Sequence, residues 1–144
     1  MSEKDEAVAC FKQGFNCAQA VLSTYGPRFG LDRETGLRVA GAFGAGMART
    51  GETCGAVTGA LMVIGLKHAK MRPDDDDSRE LSYVLAQEFM DTFRERNKSL
   101  LCRDLLGVDV STPEGMAVVR EKNLFATVCP RFVREAAELL EKLL

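Results

Sequence analysis

Residues 54–69, CGAVTGALMVIGLKHA, are apolar on most sides. A helix of that kind cannot rest on a surface; other elements have to surround it. Its apolar stretch, residues 56–66, is interrupted by Thr58, Gly59 and Gly65. It also falls short of the roughly 20 apolar residues that cross a bilayer. A buried central helix is therefore expected, and the rest of the chain must cover it. At 144 residues the chain suits one domain, residues 1–144, with a core of useful size.

The covering segments read as helices too. No stretch alternates apolar and polar residues with β-branched enrichment, while helical spacing recurs almost everywhere. Residues 3–13 turn Ala7, Val8 and Phe11 inward, and Gly14 interrupts them. Asn16 reads as the cap of "CAQAVLSTY", which Gly26-Pro27 stops. Asp32 caps a helix carrying Leu37, Val39 and Ala40, and Thr53 or Thr50 caps the central one. "RPDDDDSRE" opens the longest helix, where acidic residues face the positive end of the dipole. Leu81, Val84, Leu85, Phe89 and Phe93 make its stripe. Ser99 caps a short helix over residues 102–106, closed by Gly107, and Pro113 starts a piece ending near Asn123. Pro130 suits the first helical position of a last helix with Phe132, Val133, Ala136, Leu140 and Leu143 inward. The expected fold is all-α: a compact bundle of about six helices, with a glycine-rich loop before the buried central helix.

Charge and composition exclude some functions. The formal charge is −2, the basic residues are scattered, and there is no tryptophan and only two tyrosines. Nucleic-acid binding needs a concentrated positive face or stacking platforms, so it is not expected. "MSEKDEAVAC" has no apolar run of a signal peptide, and no membrane association is expected. The protein reads as cytoplasmic. Thiols stay reduced there, so its five cysteines are not a static disulfide framework.

The cysteines follow a pattern. Cys17 follows the cap Asn16, Cys54 follows Thr53, Cys102 lies three residues after Ser99, and Cys129 precedes Pro130. All four fall at expected helix N-termini, where free N–H groups and the dipole favour a thiolate. Cys10 lies inside the first helix. A free cysteine also packs well as a small hydrophobe, which is the plain reading of any one of them. There is no CxxC pair.

"GFNCAQAVL", then "TCGAVTGAL", then single cysteines at 102 and 129 resemble the family named for redox activity and for the cysteine pattern C_GCAxxG_C_C. Here the central element reads Cys54-Gly55-Ala56-Val57-Thr58-Gly59, a CGAxxG. By position, the resemblance implies that the family's four cysteines are Cys17, Cys54, Cys102 and Cys129, leaving Cys10 as an extra.

Gly55 and Gly59 share one helical face and would let another helix come close. "GAFGAGMARTGET" lacks the Gly-Lys-Ser/Thr ending of a phosphate loop. His68, the only histidine, suits the end of the central helix as a solvated cation. Arg49, Arg103 and Arg131 could stabilise thiolates, whereas Glu52 would oppose one. The run of aspartates at 74–77 lacks the spacing of a calcium loop. Glu88, Asp91 and Glu95 read as a wet face.

Two functions are expected from different classes. In the first, clustered cysteines at helix N-termini carry out thiol–disulfide or electron-transfer chemistry with a redox partner protein or a small acceptor. Cys54 is then the nucleophile, because it starts the most buried helix beside the glycine loop. In the second, Cys17, Cys54, Cys102 and Cys129 bind a metal ion, as zinc or an iron–sulfur cluster. A helical subunit with merely buried cysteines is the plainest alternative. Whether the chain is an enzyme stays open. If the four cysteines act together, their sulfurs gather in one place and Cys10 lies apart.

Overall fold

Short polar side chains open most of the helices. Ser2, Asn16, Asp32, Asp75 and Thr112 each accept a hydrogen bond from the backbone N–H three residues on, which satisfies a donor that the helix itself leaves free. A computed structural model describes residues 1–144. These residues form α1 (Glu3–Lys12), α2 (Cys17–Tyr25), a 3₁₀ turn (Gly26–Phe29), α3 (Arg33–Val39), α4 (Gly55–His68) and α5 (Asp76–Asn97). Then come α6 (Cys102–Leu106), α7 (Pro113–Lys122), α8 (Leu124–Thr127) and α9 (Cys129–Leu143). The class is all-α, and the only strand-like pairing is a single antiparallel bridge between Thr53 and Leu101. No helix is long and apolar enough to cross a membrane.

Nine helices replace the expected six. The short pieces α6 and α7 fall where Gly107 and Pro113 mark them; α8 is the one helix with no counterpart in the sequence reading, set off from α7 by Asn123 in a left-handed conformation (φ 53°). The glycine-rich loop and the central helix are where they were expected. α4 buries Ala56, Val57, Ala60, Val63 and Ile64 within one core cluster of 29 residues.

α2 lies closest to α4, and the two glycines set that distance. A Cβ at Gly55 would come within 2.9 Å of the Ala18 nitrogen, and one at Gly59 within 3.0 Å of the Ala18 carbonyl oxygen. Both contacts are with backbone, so any larger residue would push the helices apart. α9 closes the core with Phe132, Val133, Ala136 and Leu140, and Phe93 sits between Phe89 and Phe132 at ring-centroid distances of 6.2 Å.

Two apolar stripes are corrected. Leu81 and Val84 are 48% and 56% exposed, and Val39 is 53% exposed. The face that α5 buries runs through Ser82, Phe89 and Phe93. At about 3.6 residues per turn, Leu81 and Val84 stand about 80° and about 140° around the helix from Phe89, so they face away from the core although Ser82 between them is buried.

Candidate functional site

Each of four cysteines stands at a helix start. Cys17 is the first residue of α2, Cys102 of α6 and Cys129 of α9, while Cys54 is itself the cap of α4. Thr53 and Ser99 were expected to cap α4 and α6, and neither does. Thr53 lies in the bridge to Leu101, and Ser99 Oγ accepts from the Leu101 amide and donates to Asp104. The starts of α4, α6 and α9 thus have no capping oxygen bond. The first amides of α4 remain free to face sulfur, whereas those of Cys102 and Arg103 in α6 donate to the Glu52 and Gly51 carbonyls.

Backbone pairing brings the cysteines together. The Cys54 amide donates to the Leu100 carbonyl at 2.8 Å, and the Cys102 amide to that of Glu52 at 2.7 Å. These bonds set α4 and α6 start to start. The close approach at Gly55 brings Cys17 onto the same end of α4, with the Cys17 Cβ 3.1 Å from where a Cβ at Gly55 would stand. All four cysteines line one cavity of about 660 Å³. Phe11, Phe15, Phe125 and Phe132 supply much of its apolar wall. Cys10 is not on this wall; it is buried near Ser23, its sulfur 3.7 Å from the hydroxyl. All five cysteines are free thiols.

The helix-terminus argument holds for Cys54 and loses at Cys17 and Cys102. The Cys17 thiol donates to the Cys54 sulfur, and the Ala56 and Val57 amides face it as well. Together these outweigh burial and lower the Cys54 pKa below the usual thiol value. Cys17 is pushed well up, because its proton is shared with Cys129 and Cys54 and because it is buried. Cys102 is pushed up to about 12, chiefly by burial, with the neighbouring sulfurs Cys54 and Cys129 adding to it. Among these sulfurs Cys54 is the one whose ionisation its surroundings favour. The loss of a proton there makes a second loss nearby harder.

The loop that leads into Cys54 has an uncommon backbone. Ala45, Gly46, Met47, Ala48 and Arg49 have φ of 51°, 71°, 68°, 53° and 65°. Left-handed geometry costs an L-residue roughly 1–2 kcal/mol, and only one of these five is glycine. The turn is held by Arg49, Gly51 and Glu52 amides donating to the Gly44, Ala45 and Gly46 carbonyls at 3.0, 3.2 and 2.9 Å. Asn16 ties the loop to α2, its Nδ2 donating to the carbonyls of Ala40 and Gly41.

The family described as "Putative redox-active protein (C_GCAxxG_C_C)" matches residues 15–143, nearly the whole chain and all four cavity cysteines. The chain belongs to this family. No curated protein and no solved structure matches it. The family pattern prints GCAxxG, whereas this member carries CGAxxG at residues 54–59. The order matters here: a side chain at 55 would run into α2, so the element's cysteine has room at 54 only.

The remaining candidates sort by position. Arg103 and Glu52 pair with each other at 3.3 Å, so neither acts on a thiolate as an isolated charge. The Arg131 guanidinium stacks 4.7 Å over the Phe132 ring. His68 ends α4, at the opposite end from Cys54, with its Nε2 buried and unpartnered. Burial and Lys67 lower its pKa, against the solvated cation expected of it. Asp75 caps α5, Asp76 pairs with Arg79, and Asp91 pairs with Arg94, so these carboxylates serve the helix and its wet face. No three His, Cys, Asp or Glu side chains are grouped to hold a metal ion, so the metal reading draws no support from the geometry. Lys12 and Phe125 also stand on the cavity wall, although nothing local in the sequence sets them apart from ordinary helix residues.

Proposed function

We propose that this family member performs thiol–disulfide exchange, with Cys54 as the attacking sulfur and Cys17 as the resolving one. What supports the reading is the opposite perturbation of two hydrogen-bonded cysteines at one cavity, Cys54 lowered and Cys17 raised. The attacking group in such exchange is a thiolate, and its rate depends on how much thiolate is present near ambient pH.

The cycle balances without a metal. The Cys54 thiolate attacks one sulfur of an oxidised disulfide, forming a mixed disulfide and releasing one thiolate. Cys54 is then no longer a charge beside Cys17, so one cause of the raised Cys17 pKa is gone. Cys17 loses its proton and attacks the Cys54 sulfur, expelling the second thiolate. The chain ends with a Cys17–Cys54 disulfide, and the acceptor has gained two electrons as two thiols. Cys102 and Cys129 complete the sulfur-lined wall, and burial holds the proton on Cys102. A reducing, cytoplasmic setting fits this cycle, since the pair then rests as dithiol.

Mild oxidation followed by peptide mapping tests the proposal. The expected product is an intramolecular Cys17–Cys54 disulfide, reversed by dithiothreitol and lost in Cys54→Ser. A chain that stays reduced, or a Cys54→Ser variant that still closes a reversible disulfide at the parent rate, overturns it.

A further inference from the structure

The four cavity cysteines keep only 5% to 9% of their surface exposed. Their sulfurs lie on the wall of a cavity of about 660 Å³, a size that suits a small organic ligand. A disulfide on the surface of another protein would have to insert a narrow segment to reach them.

The same wall has a one-sided charge. Lys12 and Arg49 are its only ionisable side chains besides the cysteines, and it carries no carboxylate, although the chain has 21 acidic residues. Neither Lys12 nor Arg49 pairs with an acid anywhere in the fold, whereas Arg28, Arg79, Arg94, Arg103 and Arg134 all do.

The left-handed turn adds a third feature. The amides of Gly44, Ala45, Gly46 and Ala48 donate to no protein acceptor, and Gly46 is buried. All four residues lie on the cavity wall, next to Arg49. Successive free amides in a turn make a concave anion site, and a buried one leaves a donor to be satisfied by what enters.

We infer that the oxidant taken by this site is a small disulfide bearing carboxylate groups, bound with a carboxylate at the turn of residues 44–49 and between Lys12 and Arg49. Its carbon chain lies against the phenylalanines and its sulfurs reach Cys54. The inference rests on the thiol–disulfide reading above and names the acceptor class that reading leaves open.

A series of three small disulfides tests it: dithiodiglycolate (dianionic), bis(2-hydroxyethyl) disulfide (neutral) and cystamine (dicationic). Each rate of Cys17–Cys54 oxidation is divided by the rate of the same reagent with the urea-unfolded chain, which removes leaving-group differences. The dianion is expected to exceed the neutral reagent by about tenfold at low salt, the lower end of electrostatic focusing in a charged cleft. That preference should shrink at 0.5 M salt and in the Lys12→Gln/Arg49→Gln variant. Both side chains are free of ion pairs, so the variant is expected to melt with the parent. Equal rates for dianion and neutral reagent, or a faster dication, overturn the inference while leaving thiol–disulfide exchange standing. If none of the three closes a disulfide, the exchange reading itself falls.

Discussion

α9 and the loop at residues 41–53 flank the same cavity and are built on opposite principles. α9 has a regular stripe, with Phe132, Val133, Ala136 and Leu140 turned into the core and Arg131, Glu138 and Glu141 on its other sides. Its hold on the fold is buried area, which is graded: each lost methylene weakens it a little. The loop buries Gly46 and Gly51 and leaves most of its other residues partly or fully exposed. Specific backbone bonds hold it in a geometry that Ala45, Met47, Ala48 and Arg49 disfavour. The regular element supplies stability, and the irregular one delivers Cys54 and the free amides.

The largest expected difference between parts of this site is chemical. Cys102 is pushed up to about 12, whereas Cys54 is lowered. At pH 8 Cys54 should alkylate more than about tenfold faster than Cys102, since its gain in thiolate fraction exceeds what a less basic sulfur loses in nucleophilicity. Iodoacetamide labelling with peptide mapping reads this directly, and equal rates would remove the special status of the loop's end. Stability follows with a definite sign. Above pH 9 the unfolded chain releases the Cys102 proton while the folded chain keeps it until about 12. Folding therefore weakens as pH rises through that window, and Cys102→Ser should flatten the fall in urea titrations.

Truncation separates graded from specific support. Leu140 is fully buried, and Leu140→Ala should cost about 3–4 kcal/mol in denaturant unfolding. Gly46→Ala should cost about 2–3 kcal/mol by overpacking. Its Cβ would stand 2.6 Å from the Glu52 nitrogen, at a φ of 71°. Gly46→Ala should also slow Cys54 oxidation, whereas Leu140→Ala should leave the Cys54 pKa where it is in the folded fraction.

Cysteine replacement comes next in size. Cys54→Ser should lose reversible oxidation yet cost no more than about 1–2 kcal/mol. Cys10→Ser should be equally mild and leave oxidation intact, because Cys10 stands outside the cavity. Loss of much more stability in Cys54→Ser would point to a structural role for the cluster.

The smallest expected effect carries opposite signs in the two regions. Ala48→Gly, at a φ of 53°, should stabilise the protein by about 1 kcal/mol by relieving a left-handed alanine. Ala136→Gly in α9 should destabilise it by about 1 kcal/mol or more, since glycine is the costlier helix residue. Thermal unfolding of the pair reads both. If both destabilise, the strain assigned to the turn is not there.

Much of the molecule was legible before its fold. Asn16, Asp32 and Pro113 mark helix starts because a cap acts within three residues of itself. Gly55 and Gly59 announced a close helix because their spacing puts both on one face. The four cysteines stood out by the same local logic of helix ends. Leu81 and Val84 misled, since α5 turns the side of Ser82, Phe89 and Phe93 to the core, and which side of a helix meets a partner is decided by packing.

What the sequence by itself determined is therefore whatever depends on neighbours along the chain: helix caps, apolar faces, and the family's order of cysteines. The tertiary structure alone decided that Cys54 ionises more readily than an ordinary thiol while Cys17 and Cys102 hold their protons more tightly. Ionisation in a buried cluster depends on how many sulfurs share one low-dielectric space, and those sulfurs come from residues 17 to 129. The left-handed turn at 45–49 was decided there too. Its alanines and arginine carry no local signal for positive φ, and only the bonds across the loop and the packing against α2 and α6 hold them in it.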